Sequence, residues 1–231
     1  MARVVKEYGV RRNEILDEAQ RLMESKGYEQ MTIQDILDGL QISKGAFYHY
    51  FGSKQELLEA VLARIMDVVE QLLLPIVHDP HLSALEKFQR FCTMLARWKT
   101  TQRTFLLALL RVWYTDDNAI VRQKLHIAND KRTAPLLTTI VRQGIQEGVM
   151  TASYPDQIGE IVLSIMADLS EKLGMQLLSC EPNLATLQLM EETTAAYTEA
   201  LERVLGAAKG SIYIVDTETL KLWIIPSEES A

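Results

Sequence analysis

Apolar residues recur every three or four positions along most of this chain, and the breaks between the runs are short. Between Arg11 and Lys26 the positions Ile15, Ala19, Leu22 and Met23 keep helical spacing, and Gly27 supplies a stop. Thr32 is placed to cap a second, short helix with Ile33, Ile36, Leu37 and Leu40 on one face, ending at Gln41 and Ile42. Ser43 opens a third helix through Phe51, and Ser53 with Glu56 forms a capping box that starts a fourth. The second and third helices, joined by a tight turn, read as a helix-turn-helix.

The fourth helix is expected from Lys54 to Leu74, where Pro75 kinks or ends it. At about 1.5 Å per residue it makes a rod of roughly 30 Å. Pro75, Pro80 and the run His78-Asp79-Pro80-His81 mark a loop, and Ser83 with Glu86 opens the next helix by another capping box. Helices follow over 83–100, 102–114, 117–147 with a kink at Pro135, 156–179 and 184–208. Near the C-terminus, Ser211-Ile212-Tyr213-Ile214-Val215 has strand composition, while Asp216 can cap a final turn carrying Leu220, Trp223 and Ile224. A short docked helix after an extended link is the favoured reading, and a small β-hairpin the alternative. The pattern predicts an all-α fold with a three-helix N-terminal unit over 1–54 and a larger helical domain over 55–231.

Composition supports this division. The 231 residues are 48% hydrophobic, enough for a sizeable core in addition to a small module. The net charge of −7 is unevenly spread, because residues 1–54 hold eight basic and eight acidic side chains and the whole negative excess lies beyond them. An acidic body is kept off phosphates while a neutral head makes local contacts. Cys92 and Cys180 stand far apart without metal-ligand spacing, which fits a reduced cytoplasmic protein. No apolar run reaches the roughly 20 residues needed to cross a bilayer, so no membrane contact is expected.

Enzymatic readings fare poorly. The chain has no Gly-x-Ser-x-Gly elbow, no phosphate-binding glycine loop and no Glu-x-x-His. His78, Asp79 and His81 read as a solvated Pro-rich loop rather than a metal site. No catalytic residue, metal or cofactor is expected.

The run Ser43-Lys44-Gly45-Ala46-Phe47-Tyr48-His49-Tyr50-Phe51-Gly52-Ser53-Lys54 resembles the N-terminal signature of the TetR family of transcriptional regulators. That signature is a capped helix, a turn, Ser-x-Gly-x-aromatic-Tyr-x-aromatic-Phe and a downstream Lys. Three positions depart from it: Leu37 and Leu40 replace small alanines, and Gln41 stands where the turn usually has Gly, with Gly39 available to relieve the crowding. The resemblance implies a homodimeric repressor that binds double-stranded operator DNA and is released by a small-molecule effector. A helical ligand-binding or protein-interaction module that has lost operator binding is the alternative.

In the head, Lys44, Gly45 and Ala46 occupy the first turn of the third helix, where a recognition helix meets base edges, with Lys44 the base reader and Ser43 the cap. Tyr48, His49 and Tyr50 can reach phosphate, while Phe47 and Phe51 pack inward; Tyr50 is equally suited to the core. Lys54 lies at a helix start that already favours an anion, which points to phosphate. The resemblance puts Thr32 on phosphate and Gln34 near a base, and the Thr32 role is compatible with capping.

In the larger domain, one stripe carries Ile158, Ile161, Val162, Ile165 and Leu169, and another carries Tyr197, Leu201 and Val204. They resemble the four-helix dimer seam of the family, and the alternative for each is the protomer's own core. Phe88, Phe91, Met94, Trp98, Phe105, Trp113, Tyr114 and Met166 are core residues by default and candidates to line a cavity for an apolar or amphipathic effector. Asp168 either enters that cavity or pairs with Lys172, and Arg111 is a candidate partner for an acid.

Overall fold

Helical periodicity is realised along the chain. The computed structural model describes residues 8–113, 115 and 118–224. Its helices are α1 (Tyr8–Lys26), α2 (Ile33–Leu40), α3 (Lys44–Tyr48), α4 (Lys54–His78), α5 (Ala84–Thr101), α6 (Arg103–Trp113), α7 (Ala119–Gln146), α8 (Ile158–Ser179), α9 (Leu184–Leu205) and α10 (Thr217–Ile224). Among the described residues there is no strand, so the fold is all-α. None of these helices is long and apolar enough to cross a membrane.

The chain divides into two compact units, one reaching to Asp67 and including Thr104–Leu125, the other comprising Val68–Arg103 and the residues from His126 onward. The boundary expected after residue 54 therefore falls inside the first unit. Its core joins Ile15, Leu16, Met23 and Ile36 to Phe47, Phe51, Leu57 and Val61, with Phe105, Leu109 and Val121 packed among them. Arg64 in α4 pairs with Asp17 in α1 at 2.6 Å. The second unit is built on Leu73, Phe88, Phe91, Leu137, Ile140, Val162 and Leu201. Cys92 is buried there, and desolvation pushes its thiol up to about 12.

Several boundaries differ from expectation for local reasons. Helix α4 continues through Pro75 to His78 instead of ending near Leu74. Leu73 and Val77 on either side are buried, and burial at about 1.5–3 kcal/mol per side chain offsets the hydrogen bond that proline cannot donate. Helix α3 has five residues rather than reaching Phe51. Its backbone stays coiled beyond Tyr48, with Tyr50 N–H and Phe51 N–H both donating to the Phe47 carbonyl, at 2.9 and 3.1 Å.

Helix α9 stops at Leu205, not 208, because Gly206 turns left-handed at φ 58°. A side chain at Gly206 would also meet Thr151, whose N–H donates to the Leu205 carbonyl at 2.7 Å. The tail resolves in favour of the docked helix. Ile212 and Ile214 are buried and Tyr213 is exposed, an extended alternation without a partner strand. Asp216 Oδ1 then accepts the Thr219 N–H at 2.7 Å, and α10 buries Leu220 and Ile224 against α9 and α5.

Candidate nucleic-acid interface

The local chemistry of the head begins at the cap of α2. Thr32 accepts the Asp35 N–H at 3.2 Å and donates its own N–H to the Asp35 carboxylate at 2.7 Å. Lys26 adds an ion pair at 2.6 Å, and this bond with those from Thr32 holds the Asp35 carboxyl well below the usual range. Gln34, exposed on the next turn, donates to Asp38 at 2.7 Å.

Gln41 ends α2 in the left-handed region at φ 53°, and Ile42 N–H reaches back to the Leu37 carbonyl at 3.0 Å. The Gln41 side chain donates to the Asp38 carbonyl at 2.7 Å, a local bond that supports a conformation usually left to glycine. Gln41→Val should therefore cost about 1–2 kcal/mol of stability in urea titration, since a β-branched residue resists this region and cannot make the bond. Gly39 does relieve crowding, but against α1: a Cβ there would lie 2.2 Å from the Glu18 carboxylate, which Arg21 holds at 2.6 Å.

Ser43 Oγ accepts the Ala46 N–H at 3.2 Å and sets the start of α3. Phe47 is 0% exposed and Phe51 1%, so two aromatics fasten the short helix to the core. The opposite side carries Lys44, Gly45, Tyr48 and His49, all exposed, with Ala46 half-buried. The Lys44 ammonium stands 5.9 Å from the Tyr48 ring centre. A Cβ added at Gly45 would touch nothing within 4 Å. Tyr50 is half-buried and stacks at 4.7 Å on Tyr8, whose ring also meets His49 at 5.7 Å. Tyr8 was not anticipated, because α1 was read as starting at Arg11; an aromatic two turns before Ile15, the start of the apolar stripe, is the signal that could have found it.

Lys54, expected at phosphate, also has partners within the protein. Its ammonium donates to the Glu29 carbonyl at 3.0 Å and lies 4.4 Å above the Tyr28 ring, tying α4 to the segment between α1 and α2. Desolvation lowers its pKa there. The start of α4 is likewise already served, since the Glu56 carboxylate accepts the Gly52 N–H at 2.7 Å.

The expected effector residues fall in the cores of two different units. Phe91 and Met166 are buried in the second unit's core with Met94 against it, and Trp98 is half-buried, whereas Phe105 and Trp113 belong to the core of the first unit. The apolar face of α6 explains this, because Phe105 and Leu109 pack with Leu57 and Val61 of α4. Tyr114 lies outside the described residues. Arg111 and Asp168 are exposed, and Asp168 accepts the Tyr197 hydroxyl and lies 3.9 Å from Lys172. Sequence reasoning missed Lys99, which reaches from α5 to Ser170 of α8 at 2.9 Å and has its pKa lowered by burial. Its place beside Trp98 on an apolar helix was the available signal.

Helices α8 and α9 pack on each other. Ile158, Val162, Leu169 and Leu201 are buried within the protomer, Ile165 and Tyr197 are half-buried, and Ile161 and Val204 are exposed together with Met175 and Leu189.

Residues 15–61 match the profile of the bacterial regulatory proteins of the tetR family, and residues 111–181 match the profile described as the tetracyclin repressor-like C-terminal domain. The chain belongs to the TetR family. This TetR-family chain is a DNA-binding transcriptional regulator. It is 25% identical over 172 residues to the HTH-type transcriptional repressor KstR2 of Mycobacterium tuberculosis, covering 73% of this chain and 82% of that one. A TetR transcription regulator from Haloarcula marismortui shares the fold at a TM-score of 0.62 and 22% identity, over 84% of this chain and 98% of the other. Thermus thermophilus FadR, a TetR-family repressor solved with lauroyl-CoA, does so at 0.59 and 16% identity, over 82% and 94%.

Proposed function

We propose that this TetR-family regulator is a homodimeric repressor that reads its operator with the first turn of α3 and is released by an amphipathic effector. The observation that carries the reading of DNA is Gly45. Its surroundings are open, so the fold itself does not demand glycine there, and glycine costs a helix about 1 kcal/mol relative to alanine. Close approach of the backbone to base edges gives that cost a purpose. Lys44 beside it is the base reader, with Tyr48, His49, Thr32 and the exposed Gln34 around it. Lys54 positions α4 through the Glu29 carbonyl, and its remaining ammonium donors are the ones offered to phosphate.

One short recognition helix binds weakly, and two-fold pairing doubles the contacts at half-sites about 34–36 Å apart. The exposed apolar residues Ile161, Met175, Leu189 and Val204 support a seam made by α8 and α9. For the effector, the apolar side chains of Phe91, Met94 and Met166 with the partly buried Lys99 favour a molecule with an apolar body and an acidic end. FadR, bound to lauroyl-CoA, is a relative of similar fold whose ligand has this character. Residues of α4 belong to both units, so a shift of this helix changes the spacing of the two recognition helices. Effector and operator then weaken each other's binding by the same factor.

Titration of DNA flanking the protein's own gene against a scrambled duplex tests the proposal. Lys44→Ala should lose roughly 1–3 kcal/mol on the operator and relax discrimination at one base pair per half-site, with little change on scrambled DNA. Equal losses on both duplexes would make Lys44 a phosphate clamp, and no preference for the flanking DNA would remove the operator reading.

A further inference from the structure

Helix α5 turns Ala84, Phe88, Phe91 and Cys92 into the second unit, and Lys87 sits on that same face. A lysine in a core register is uncommon, and here a buried stem carries the ammonium to an opening. Lys87 is only 6% exposed, yet its side chain has no ion pair or hydrogen bond among the described residues. It lines a cleft of about 420 Å³ with Pro80, Thr139, Arg142, Gln143 and Gln146.

The other polar groups of the cleft sort by what they still have to offer. Thr139 donates its hydroxyl to the Pro135 carbonyl at 2.9 Å, and the Gln143 amide donates to the Leu82 carbonyl at 2.8 Å and to Glu147 at 2.6 Å. Glu147, just past the end of α7, is further engaged by the Ala84 N–H at 2.9 Å, which occupies it with the start of α5. Gln146 is exposed and its amide has no partner among the described residues. Arg142 is held by Asp156 in an exposed pair, and such pairs exchange readily for a better partner. Lys87 and Gln146 thus keep uncommitted donors among the described residues of the cleft.

Leu or Met would fill the same register, whereas lysine carries a cation from a buried stem to the cleft. We propose that this cleft binds a small oxyanion, the phosphate or carboxylate group of a soluble metabolite, with the Lys87 ammonium as its charged contact and Gln146 and Arg142 as flanking donors. The site is separate from the apolar region offered to the effector, and it stands or falls without reference to operator binding.

Calorimetry on the full chain tests it without DNA, using inorganic phosphate and succinate in turn, with chloride added to hold ionic strength constant. One anion should bind once per protomer with a millimolar or tighter constant. Tighter phosphate identifies a phosphate-bearing ligand, and tighter succinate a carboxylate. Lys87→Met should weaken binding about tenfold or more, the loss of one charge-assisted bond, with the protein still folded. Gln146→Ala, an exposed change that leaves folding alone, should weaken binding severalfold. Heats indistinguishable from chloride for both anions overturn the proposal, as does an affinity unchanged by both Lys87→Met and Gln146→Ala.

Discussion

Phe47→Ala should destabilise the first unit by about 3–5 kcal/mol and abolish operator binding while leaving every candidate DNA-contacting side chain in place. Phe47 is wholly buried, its ring lies 6.0 Å from that of Phe51, and its backbone carbonyl accepts the two bonds that continue α3 past Tyr48. A five-residue helix has no stability of its own, so removal of this anchor releases the recognition segment. The loss is a large fraction of the 5–15 kcal/mol typical of a domain. Chemical denaturation followed by circular dichroism should show the shift. Tyr48→Ala, one residue on and 45% exposed, should leave stability within about 0.5 kcal/mol and weaken DNA binding alone. Equal unfolding of the two variants would remove Phe47 from its role as anchor.

Charge placed on α8 and α9 should separate two kinds of apolar residue. Leu201 is 0% exposed within the protomer, so Leu201→Glu buries an unpaired carboxylate and should give unfolded or insoluble protein. Val204, three residues on, is 37% exposed and Ile161 is 45% exposed. Val204→Glu and Ile161→Glu should therefore leave a helical, folded protomer and dissociate the dimer, each costing several kcal/mol at the seam. Light scattering at micromolar concentration, read beside circular dichroism, distinguishes these outcomes. A wild-type monomer ends the seam proposal, and a dimer that survives both surface charges moves the seam to another face.

Local chemistry explains what is legible in the sequence. Thr32, Ser43, Ser83 and Asp216 cap the helices they precede because each needs only a backbone N–H three residues away. The tail was readable for the same reason, since the Asp216 cap and the spacing of Leu220 and Ile224 outweigh the strand composition just before them. Distance in sequence hid the rest. The commitment of Lys54 to the Glu29 carbonyl spans 25 positions, and the membership of Phe105 in the first unit's core follows from α4, not from its own neighbours. The stripes on α8 and α9 were visible as stripes, but which edge faces the protomer is a tertiary fact. So too with Lys87, whose register on α5 could be counted along the sequence while its lack of a partner among the described residues could not.

The contrast between the chain's two cysteines makes it a ready-made spectroscopic ruler. With its thiol buried and pushed up to about 12, Cys92 carries almost no thiolate at neutral pH and should ignore a maleimide or a methanethiosulfonate spin label. Cys180, half-buried at the C-terminal end of α8, is left as the single reactive handle. One label per protomer thus attaches to the wild-type sequence without mutagenesis. In a two-fold assembly this yields one spin pair, whose separation reports in solution how the paired α8 helices respond to effector or DNA.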